Sequence, residues 1–487
     1  MMPEFLRQRR YNSRYFTIVI AMLSILVIVV YSSCEKAETV ADQYEKYIDS
    51  AEEVWGFQGS WLLAKGDSIL AQGSRGMANL DANRPNTPET KFMIGSLTKS
   101  FTAIATMQLV EKGLIDLDKT ISDYLSDYPT ETGNEITVHH LLCHRSGIPD
   151  PLRNREFIAR MGSPIEPAEI VSFFKDQPLD FQPGEKYEYS SANYVLLGLI
   201  IEAVSGQAWE DYIEVNICGT CGMLNTAVFK GYADREDVAL GHSWSEHGGG
   251  LSILPVIHPS FGYSAGALTS TVGDLFKLNL GLYSGSLLSP ESIELMLTPH
   301  SPTYGYGWYV DDFGGHSLTG HGGGVPGISS LIQRWVDDSV CVVVLCNRSG
   351  LKTHTIANAL AAIALDENVD MPVIKKPIDV KGDALTEYEG KYVRQSGEHV
   401  VISILNGVLN SQVSDGRPYQ LLPESTDKFF LNHDMMTTIT FIRDSTNTVN
   451  SYILAQAFER DTAILIERGH IITPSDSVIS SFKREIL

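Results

Sequence analysis

The sequence predicts a mixed α/β (α+β) region followed by a separate antiparallel β region, on three observations. Apolar residues recur at helical spacing in residues 92–113, which indicates a buried helix. A nearly continuous apolar run at residues 340–345 is typical of a buried central strand. From about Pro372 the helical periodicity stops and short alternating runs begin. With 487 residues, of which 43% are hydrophobic, the chain is long enough for two domains.

The charge balance restricts the partners that the chain can bind. It has 37 basic and 59 acidic residues, for a formal net charge of −22. Because nucleic-acid binders present a basic face, this balance argues against a nucleic-acid partner. An acidic surface of this kind is typical of a self-repelling, soluble domain.

The N-terminus has the composition of an export signal. Several arginines precede an uncharged, mostly apolar run at residues 15–33, and the apolar part of this run is short against the roughly 20 residues of a membrane-spanning helix. The run ends in Ser-Ser-Cys, which resembles a bacterial lipoprotein signal in which Cys34 would be lipidated; the alternative is an uncleaved membrane anchor. We therefore expect residues 1–34 to be a signal and residues 35–50 a polar tether. The protein would be exported to the periplasm or cell envelope and held at the membrane.

Two short strands and a helix are predicted next. Residues 61–73 place apolar residues on either side of a Gly-Asp turn, which predicts a pair of strands. At the head of the helix that follows, Ser96 and Lys99 stand three residues apart, and residues at this spacing share a helix face. A hydroxyl becomes a useful nucleophile when a neighbouring base takes its proton, and burial of this turn would lower the pKa of the amine. Ser-x-x-Lys also occurs elsewhere in the chain, so the pair gains weight only from its companions.

Two more stretches carry candidate metal-binding or catalytic residues. His140 and His144 are four apart, a spacing that suits metal ligands on one helix face. No Glu stands at the metalloprotease position and no third ligand is evident, so a structural histidine is the better interpretation and no metal is expected. Tyr189 and Ser191 lie in a loop between a Pro-Gly turn and an apolar helix at residues 194–204. Tyr189 is therefore a candidate catalytic phenol.

Further elements are predicted along the chain. A helix follows Ser270 or Thr271, either of which suits an N-cap. Residues 304–310 indicate a strand, as do residues 317–320, which run into His321 and three glycines.

The cysteines do not form a disulfide framework, because six are too few for a chain of this length. Cys218 and Cys221 are interpreted either as a local disulfide or as two buried thiols. Cys341 and Cys346 belong to the buried strand and are expected in the core.

The tail has the alternation of an antiparallel sheet or small barrel of about 100 residues. Strands are predicted at residues 400–405, 408–413, 437–442 and 453–458. The Asn-Gly pair between the first two is a strong hairpin signal. The sequence of the tail shows no combination of residues that indicates a catalytic site.

Four stretches taken together resemble the serine β-lactamase-like and penicillin-binding-protein superfamily. They are Ser96-Leu-Thr-Lys99, Tyr189-Ser-Ser191, residues 264–275 and His321-Gly-Gly323, and residues 140–147 support the match. The resemblance is closest to the branch of class C β-lactamases, D-amino-acid peptidases and esterases. It implies a β-lactamase/transpeptidase-like fold, with an antiparallel sheet flanked by helices and an all-helical subdomain. The catalytic domain would span residues 51–370, and the tail at 375–487 resembles the lipocalin-like C-terminal domains of some members.

The resemblance also implies a role for each matched residue. Ser96 would be the acylated nucleophile, Lys99 its base, and Tyr189 a proton relay that later activates water. His321 stands where many members have the Lys of a Lys-Thr-Gly motif. Other residues would contact the substrate or hold its oxyanion together with backbone N–H groups near Ser96: Ser191, Gly322, Gly323 and Gly324. The substrate would be a small molecule or peptide with an ester or amide bond, and no cofactor is implied.

To act as a base near neutrality, either Lys99 or Tyr189 must have a pKa well below its ordinary value. Their ordinary pKa values are about 10.4 and 10, so a shift of about 3 is needed. Burial lowers the pKa of a lysine, whereas a neighbouring cation lowers that of a phenol.

Two departures from the family pattern affect the substrate. Ser191 replaces an Asn whose amide would both donate to and accept from a substrate amide. His321 replaces a permanent positive charge that would attract the carboxylate of a β-lactam or a D-Ala-D-Ala peptide. Both departures weaken the case for a proficient β-lactamase and favour esters or less usual amides.

Two alternatives remain at this point. Gly262-Tyr-Ser264-Ala-Gly266 matches the nucleophile elbow of α/β-hydrolases, and His247 with three glycines mimics their oxyanion motif. The prolines ahead of Ser264 make a poor central strand, which counts against this interpretation. The other alternative is a non-catalytic, penicillin-binding-like sensor of cell-wall fragments.

Overall fold

The structure is a computed structural model, and it describes residues 40–229, 237–244, 251–313, 315–351, 353–380, 382–395, 397–413, 418–432, 434–456 and 459–468. The predicted signal with Cys34 lies outside the described residues, as does His247. Within the described ranges, no helix combines the length and the apolar character needed to cross a bilayer.

Most helices lie in the first 370 residues. The α-helices have these bounds: Val40–Trp55, Thr98–Glu111, Ile121–Tyr124, Thr130–Gly133, Val138–Leu142, Arg155–Ala159, Pro167–Ser172, Ser191–Ser205, Trp209–Ile213, Tyr263–Gly266, Val272–Tyr283, Pro290–Leu297, Thr353–Ala364 and Gly382–Leu385. Shorter turns are 3₁₀-helical at Gly95–Leu97, Pro151–Arg153, Pro259–Phe261 and Thr386–Tyr388, and π-helical at Glu214–Gly219.

The strands are numbered along the chain. Their bounds are β1 Gly59–Lys65, β2 Ser68–Arg75, β3 Met77–Asn79, β4 Arg84–Pro85, β5 Phe92–Met93, β6 Ala227–Val228, β7 His242–Trp244, β8 Leu251–Ile253, β9 Leu268–Ser270, β10 Tyr309–Phe313, β11 His316–Val325, β12 Ile328–Trp335, β13 Val340–Cys346, β14 Gly390–Arg394, β15 His399–Leu405, β16 Val408–Val413, β17 Tyr419–Pro423, β18 Lys428–Leu431, β19 Asp434–Arg443, β20 Val449–Gln456 and β21 Glu459–Arg468.

A six-stranded antiparallel sheet organises the first region, in the order β10-β11-β12-β13-β1-β2. Every residue of β13 is buried, as its continuous apolar run predicts. Val343 of β13 pairs with Leu62 of β1 on one side and with Ile332 of β12 on the other, so this strand is central. The predicted hairpin of β1 and β2 is also confirmed, with Gly66 in its turn at a φ of 61°.

The helix at Thr98–Glu111 is buried along most of its length and belongs to one hydrophobic core with the sheet and the helix at Ser191–Ser205. It ends at Glu111, with Lys112 as its C-cap, and Gly113 follows at a φ of 68°, where glycine is favoured. The later helix at Val272–Tyr283 is capped by Thr271, whose hydroxyl accepts from the N–H of Asp274 at 3.2 Å. Both helices confirm their sequence predictions, and the architecture is the predicted mixed α/β fold.

The tail is a closed, antiparallel, eight-stranded barrel formed by β14 to β21, with β14 pairing to β21. Its core is aromatic: the rings of Tyr392 and Tyr452 lie 5.0 Å apart, and those of Tyr388 and Phe441 lie 4.6 Å apart. The hairpin predicted at the Asn-Gly pair joins β15 to β16, where Leu405 pairs with Val408. The closed barrel is consistent with the lipocalin-like domain that the sequence resembles.

Two boundaries differ from the prediction. The helix at Val40–Trp55 occupies much of the segment predicted as a tether at residues 35–50. Its charged residues obscure a stripe at helical spacing, formed by Tyr47, Ile48 and Ala51, which are buried. The strand predicted at residues 304–310 begins only at Tyr309. Gly307 turns the chain at a φ of 74° and approaches the helix at Thr98–Glu111 so closely that a Cβ there would lie 3.0 Å from the carbonyl oxygen of Lys99.

The described cysteines are free thiols, and Cys218 and Cys221 are not joined. Cys218 is buried in the π-helical turn at Glu214–Gly219, as the interpretation of two buried thiols expects, whereas Cys221 is only half-buried. Cys341 and Cys346 lie in the core, as predicted.

Candidate active site

Ser96 and Lys99 meet at the start of the helix at Thr98–Glu111. Ser96 lies in the 3₁₀ turn at Gly95–Leu97 that leads into this helix, and the Lys99 Nζ is 2.9 Å from its Oγ, within hydrogen-bond distance. The Lys99 Nζ also donates to the carbonyl oxygen of Ala265 at 3.0 Å. This second contact directs the amine toward the serine. Ala265 belongs to the segment at residues 262–266, which the sequence suggested as a nucleophile elbow.

The Lys99 amine is buried, with 1% of the residue exposed to solvent. Burial disfavours the charged form and lowers its pKa to about 7, against an opposing contribution from the Asp150 carboxylate. About half of the amines therefore lack the extra proton at neutral pH, and the nitrogen lone pair can accept the Ser96 proton. The sequence left two ways to obtain a base, a lowered pKa of the lysine or of the phenol, and the structure supports the lysine, whose pKa is lowered by burial.

Tyr189 completes the group around Ser96. Its phenol hydrogen-bonds with Ser96, and the Lys99 Nζ lies 5.0 Å from its ring centroid. Burial nevertheless raises the pKa of Tyr189 well above its ordinary value, so the phenol keeps its proton near neutrality. Tyr189 is thus placed to donate a proton rather than to begin the reaction as a tyrosinate.

His321 lies on β11 and is buried, with 2% of it exposed. Its Nδ1 is 2.6 Å from the Gly322 carbonyl oxygen, which can only accept, so Nδ1 carries the proton. Its Nε2 then accepts from the Tyr304 hydroxyl at 2.9 Å. Burial, reinforced by the nearby Lys99 amine, lowers the pKa of His321 to about 3, so the imidazole is neutral at pH 7.

Ser191 is the first residue of the helix at Ser191–Ser205, three residues earlier than the predicted start of that helix. Its N–H donates to the Asp150 carboxylate, which also accepts from the N–H of Leu152 at 3.1 Å. Asp150 therefore ties the turn at Pro151–Arg153 to the start of this helix, close to Lys99. Sequence reasoning missed Asp150, and its position before a proline at the head of a turn is the signal that was available.

His144 holds the other side of Tyr189. Its Nδ1 accepts from the backbone N–H of Ser190 at 3.2 Å and lies 3.0 Å from the Asn193 Nδ2. Its ring packs against that of Tyr189 at a centroid distance of 4.1 Å. His144 follows the end of the helix at Val138–Leu142 and is not on its face with His140, which instead accepts from the N–H of Thr137. His144 thus has the predicted structural role, which it fulfils by accepting from the backbone N–H of Ser190.

The backbones of β11 and of the turn at Gly95–Leu97 approach each other closely beside Ser96. A Cβ on Gly323 would lie 1.9 Å from the Ile94 carbonyl oxygen and 2.8 Å from the Ser96 nitrogen. A Cβ on Gly95 would lie 2.8 Å from the Gly324 nitrogen. Only glycine permits this approach, and it brings the Ser96 and Gly324 N–H groups into one small region, as an oxyanion site requires.

Ser264, the nucleophile of the alternative elbow, is fully buried. Its Oγ donates to the Tyr194 carbonyl oxygen at 2.8 Å. A 3₁₀ turn at Pro259–Phe261 precedes it, rather than the strand that an elbow requires. This geometry does not fit a nucleophile elbow, and the segment instead contributes the Ala265 carbonyl oxygen that contacts Lys99.

The chain is similar to several known proteins. A family model described as "Beta-lactamase" matches residues 53–366. Penicillin-binding protein 4* of Bacillus subtilis (strain 168) is 28% identical over 404 residues, which cover 77% of this chain and 88% of that protein. The solved structure of an octameric penicillin-binding protein homologue from Pyrococcus abyssi is 30% identical, with a TM-score of 0.63, and the match covers 86% of this chain and 99% of that one. A D-amino acid amidase from Ochrobactrum anthropi SV3 is 27% identical, with a TM-score of 0.56, over 63% of this chain and 91% of the amidase.

Proposed function

Because the chain belongs to the Beta-lactamase family, we propose that it is a serine hydrolase that acts on an ester or amide through an acyl-Ser96 intermediate. The observation that carries the proposal is the contact of the Ser96 Oγ with a buried amine whose pKa is about 7. A hydroxyl beside a neutral amine is an activated nucleophile. A buried lysine without a chemical role would be an unexplained destabilising feature of the fold.

Acylation begins when the neutral Lys99 amine takes the Ser96 proton and the Oγ bonds to the substrate carbonyl carbon. The N–H groups of Ser96 and Gly324 hold the oxyanion that forms. When the bond to the leaving group breaks, the leaving oxygen or nitrogen takes the Tyr189 proton, and the Lys99 ammonium returns a proton to the phenol. Water then attacks the acyl-enzyme along the same proton path, which releases the acid and restores Ser96.

The pKa of Lys99 determines the pH dependence that we expect. The active form is the neutral amine, so activity falls as pH drops below about 7 and levels off above it. Between pH 6 and pH 8 the neutral fraction, and with it kcat/KM, rises about tenfold. Steady-state rates on p-nitrophenyl acetate, with the Ser96→Ala rate subtracted as background, measure this profile. A rate that falls between pH 6 and pH 8, or a limb that appears only near pH 10, would contradict the assignment of Lys99 as the base.

The residues around the nucleophile favour substrates without a carboxylate near the scissile bond. The His321 imidazole is neutral at pH 7 and is engaged by Tyr304 and Gly322. Ser191 offers a hydroxyl in place of an amide. Because a permanent cation is missing at the position of His321, a substrate carboxylate would lose water without gaining an ion pair.

A comparison of two chromogenic substrates tests this preference. We expect kcat/KM on p-nitrophenyl acetate to exceed that on nitrocefin by about tenfold or more, a difference of about 1.4 kcal/mol in transition-state stabilisation. Faster turnover of nitrocefin would show that the protein is a β-lactamase despite its neutral His321. Absence of turnover on esters, β-lactams and D-peptides would favour the alternative of a non-catalytic sensor of wall fragments.

A further inference from the structure

Ser96 stands where two cavities of different chemistry meet. The smaller cavity has a volume of about 500 Å³ and is lined mainly by apolar groups, among them Leu152, Phe157, Met161, Ile170, Val195 and Phe261. The rings of Phe157 and Phe261 stack at 4.3 Å and form one of its walls. Among the described residues that line it, Lys99 is the only one that carries an ionisable side chain. We call this space the apolar cavity.

The larger cavity has a volume of about 900 Å³ and is lined by more polar and ionisable side chains than the apolar cavity. Its lining includes Tyr189, Asp311, His321, Gln333, His354 and Asn358. We call this space the polar cavity. The two cavities share Ser96, so the two sides of a scissile bond would lie in different surroundings.

Proton transfer decides which side of the substrate enters which cavity. In the proposed mechanism the leaving group takes its proton from Tyr189, so the leaving group must lie within reach of that phenol. Tyr189 lines the polar cavity and is not part of the lining of the apolar cavity. The leaving group therefore occupies the polar cavity, and the acyl substituent points into the apolar cavity on the other side of Ser96.

We propose that the apolar cavity binds the acyl group, and that the preferred substrates are esters or amides of an uncharged, apolar carboxylic acid joined to a polar leaving group. This inference rests on the acyl-Ser96 mechanism and names the substrate class for it. A charged acyl group would be stripped of water without a partner, because the Lys99 amine is neutral when it acts as the base. An aliphatic chain or an aromatic ring instead gains affinity with each methylene that it buries.

A chain-length series tests the inference on the unmodified protein. We expect kcat/KM on p-nitrophenyl esters to rise from acetate to hexanoate by up to about fourfold for each added methylene. The leaving group stays constant, so the trend reports on the acyl side alone. A p-nitrophenyl monoester of glutarate, which carries a carboxylate on the acyl chain, should react at least about tenfold more slowly than the pentanoate ester of the same chain length. A flat or falling series, or an equally fast glutarate ester, would overturn the inference.

A matched pair of variants locates the effect in the apolar cavity. Leu152→Trp fills the cavity from a side chain that is 46% exposed, whereas Leu224→Trp makes the same change at a position that is 89% exposed and lines neither cavity. We expect Leu152→Trp to lower the ratio of hexanoate to acetate turnover at least fivefold and Leu224→Trp to leave that ratio unchanged. An unchanged ratio in Leu152→Trp would overturn the assignment of this cavity. Absence of turnover on esters, β-lactams and D-peptides alike would overturn the proposed function, and this inference with it, whereas ester turnover without a chain-length preference would overturn the inference alone.

Discussion

Replacing Ser96 with alanine is expected to lower kcat/KM on an activated ester by about 10⁴-fold or more, because Ser96 is the residue that we propose to form the acyl-enzyme. The Ser96 Oγ is the hydroxyl that lies 2.9 Å from the Lys99 amine. The residue is only partly buried, so the change removes one oxygen without opening a cavity in the core. Initial rates on p-nitrophenyl acetate measure the loss, and an unchanged far-UV circular dichroism spectrum shows that the fold is retained.

Ser264→Ala is the matched control for this change. It removes a hydroxyl that donates to the Tyr194 carbonyl oxygen inside the core, so it is expected to cost about 1 kcal/mol of stability and to leave most of the activity. If Ser96→Ala retained activity while Ser264→Ala lost it, the assignment of the nucleophile would be wrong.

Lys99→Met is expected to lower kcat/KM by about 10³-fold, within the range for loss of a general base. Methionine has a similar length and no charge, so it fills the buried space and should not destabilise the fold. The loss should therefore appear in catalysis, and the rise in rate between pH 6 and pH 8 should disappear with the amine. Rates measured across this pH range on the same ester separate the two effects.

Lys112→Met makes the same change at the exposed end of the same helix. It should leave both the rate and the pH profile close to those of the unmodified protein. If Lys99→Met kept the rise near pH 7, the ionisation would belong to a group other than Lys99, and the proposed base would be wrong.

The features that the sequence predicted well are those that depend on local pattern. The unbroken apolar run at Val340–Cys346 can be satisfied only by burial on both faces, and the strand is central. The spacing of Ser96 and Lys99 brings their side chains together because a helical turn sets the distance. The Asn-Gly pair specifies the hairpin between β15 and β16 in the same local way.

The features that the sequence missed depend on contacts between distant parts of the chain. The carbonyl oxygen that holds the Lys99 amine comes from Ala265, 166 positions away, and no local pattern reveals that pairing. The carboxylate of Asp150, just before the turn at Pro151–Arg153, also affects the pKa of this amine, and it is distant from Lys99 in the sequence. The pKa of Lys99 is lowered and that of Tyr189 is raised, in both cases chiefly because the folded chain buries the group.

At Ser264 a local sequence motif suggested a site that the folded structure does not form. Its flanking glycines match a nucleophile motif, yet the short helix at Tyr263–Gly266 places its hydroxyl inside the core. Gly198 leaves room for this packing, since a Cβ there would lie 2.1 Å from the Ser264 Oγ. The motif of five residues did not reveal that its serine is buried, whereas Ser96 was identified by a lysine one helical turn away together with the other stretches of the resemblance.

The most direct test of the acyl-Ser96 mechanism is peptide mapping by mass spectrometry after treatment with a fluorophosphonate probe. We expect a single stoichiometric label on the peptide that contains Ser96, formed at a rate that Lys99→Met strongly reduces and Lys112→Met does not. A label on the peptide that contains Ser264, or a Ser96 label that forms equally fast without Lys99, would contradict this mechanism.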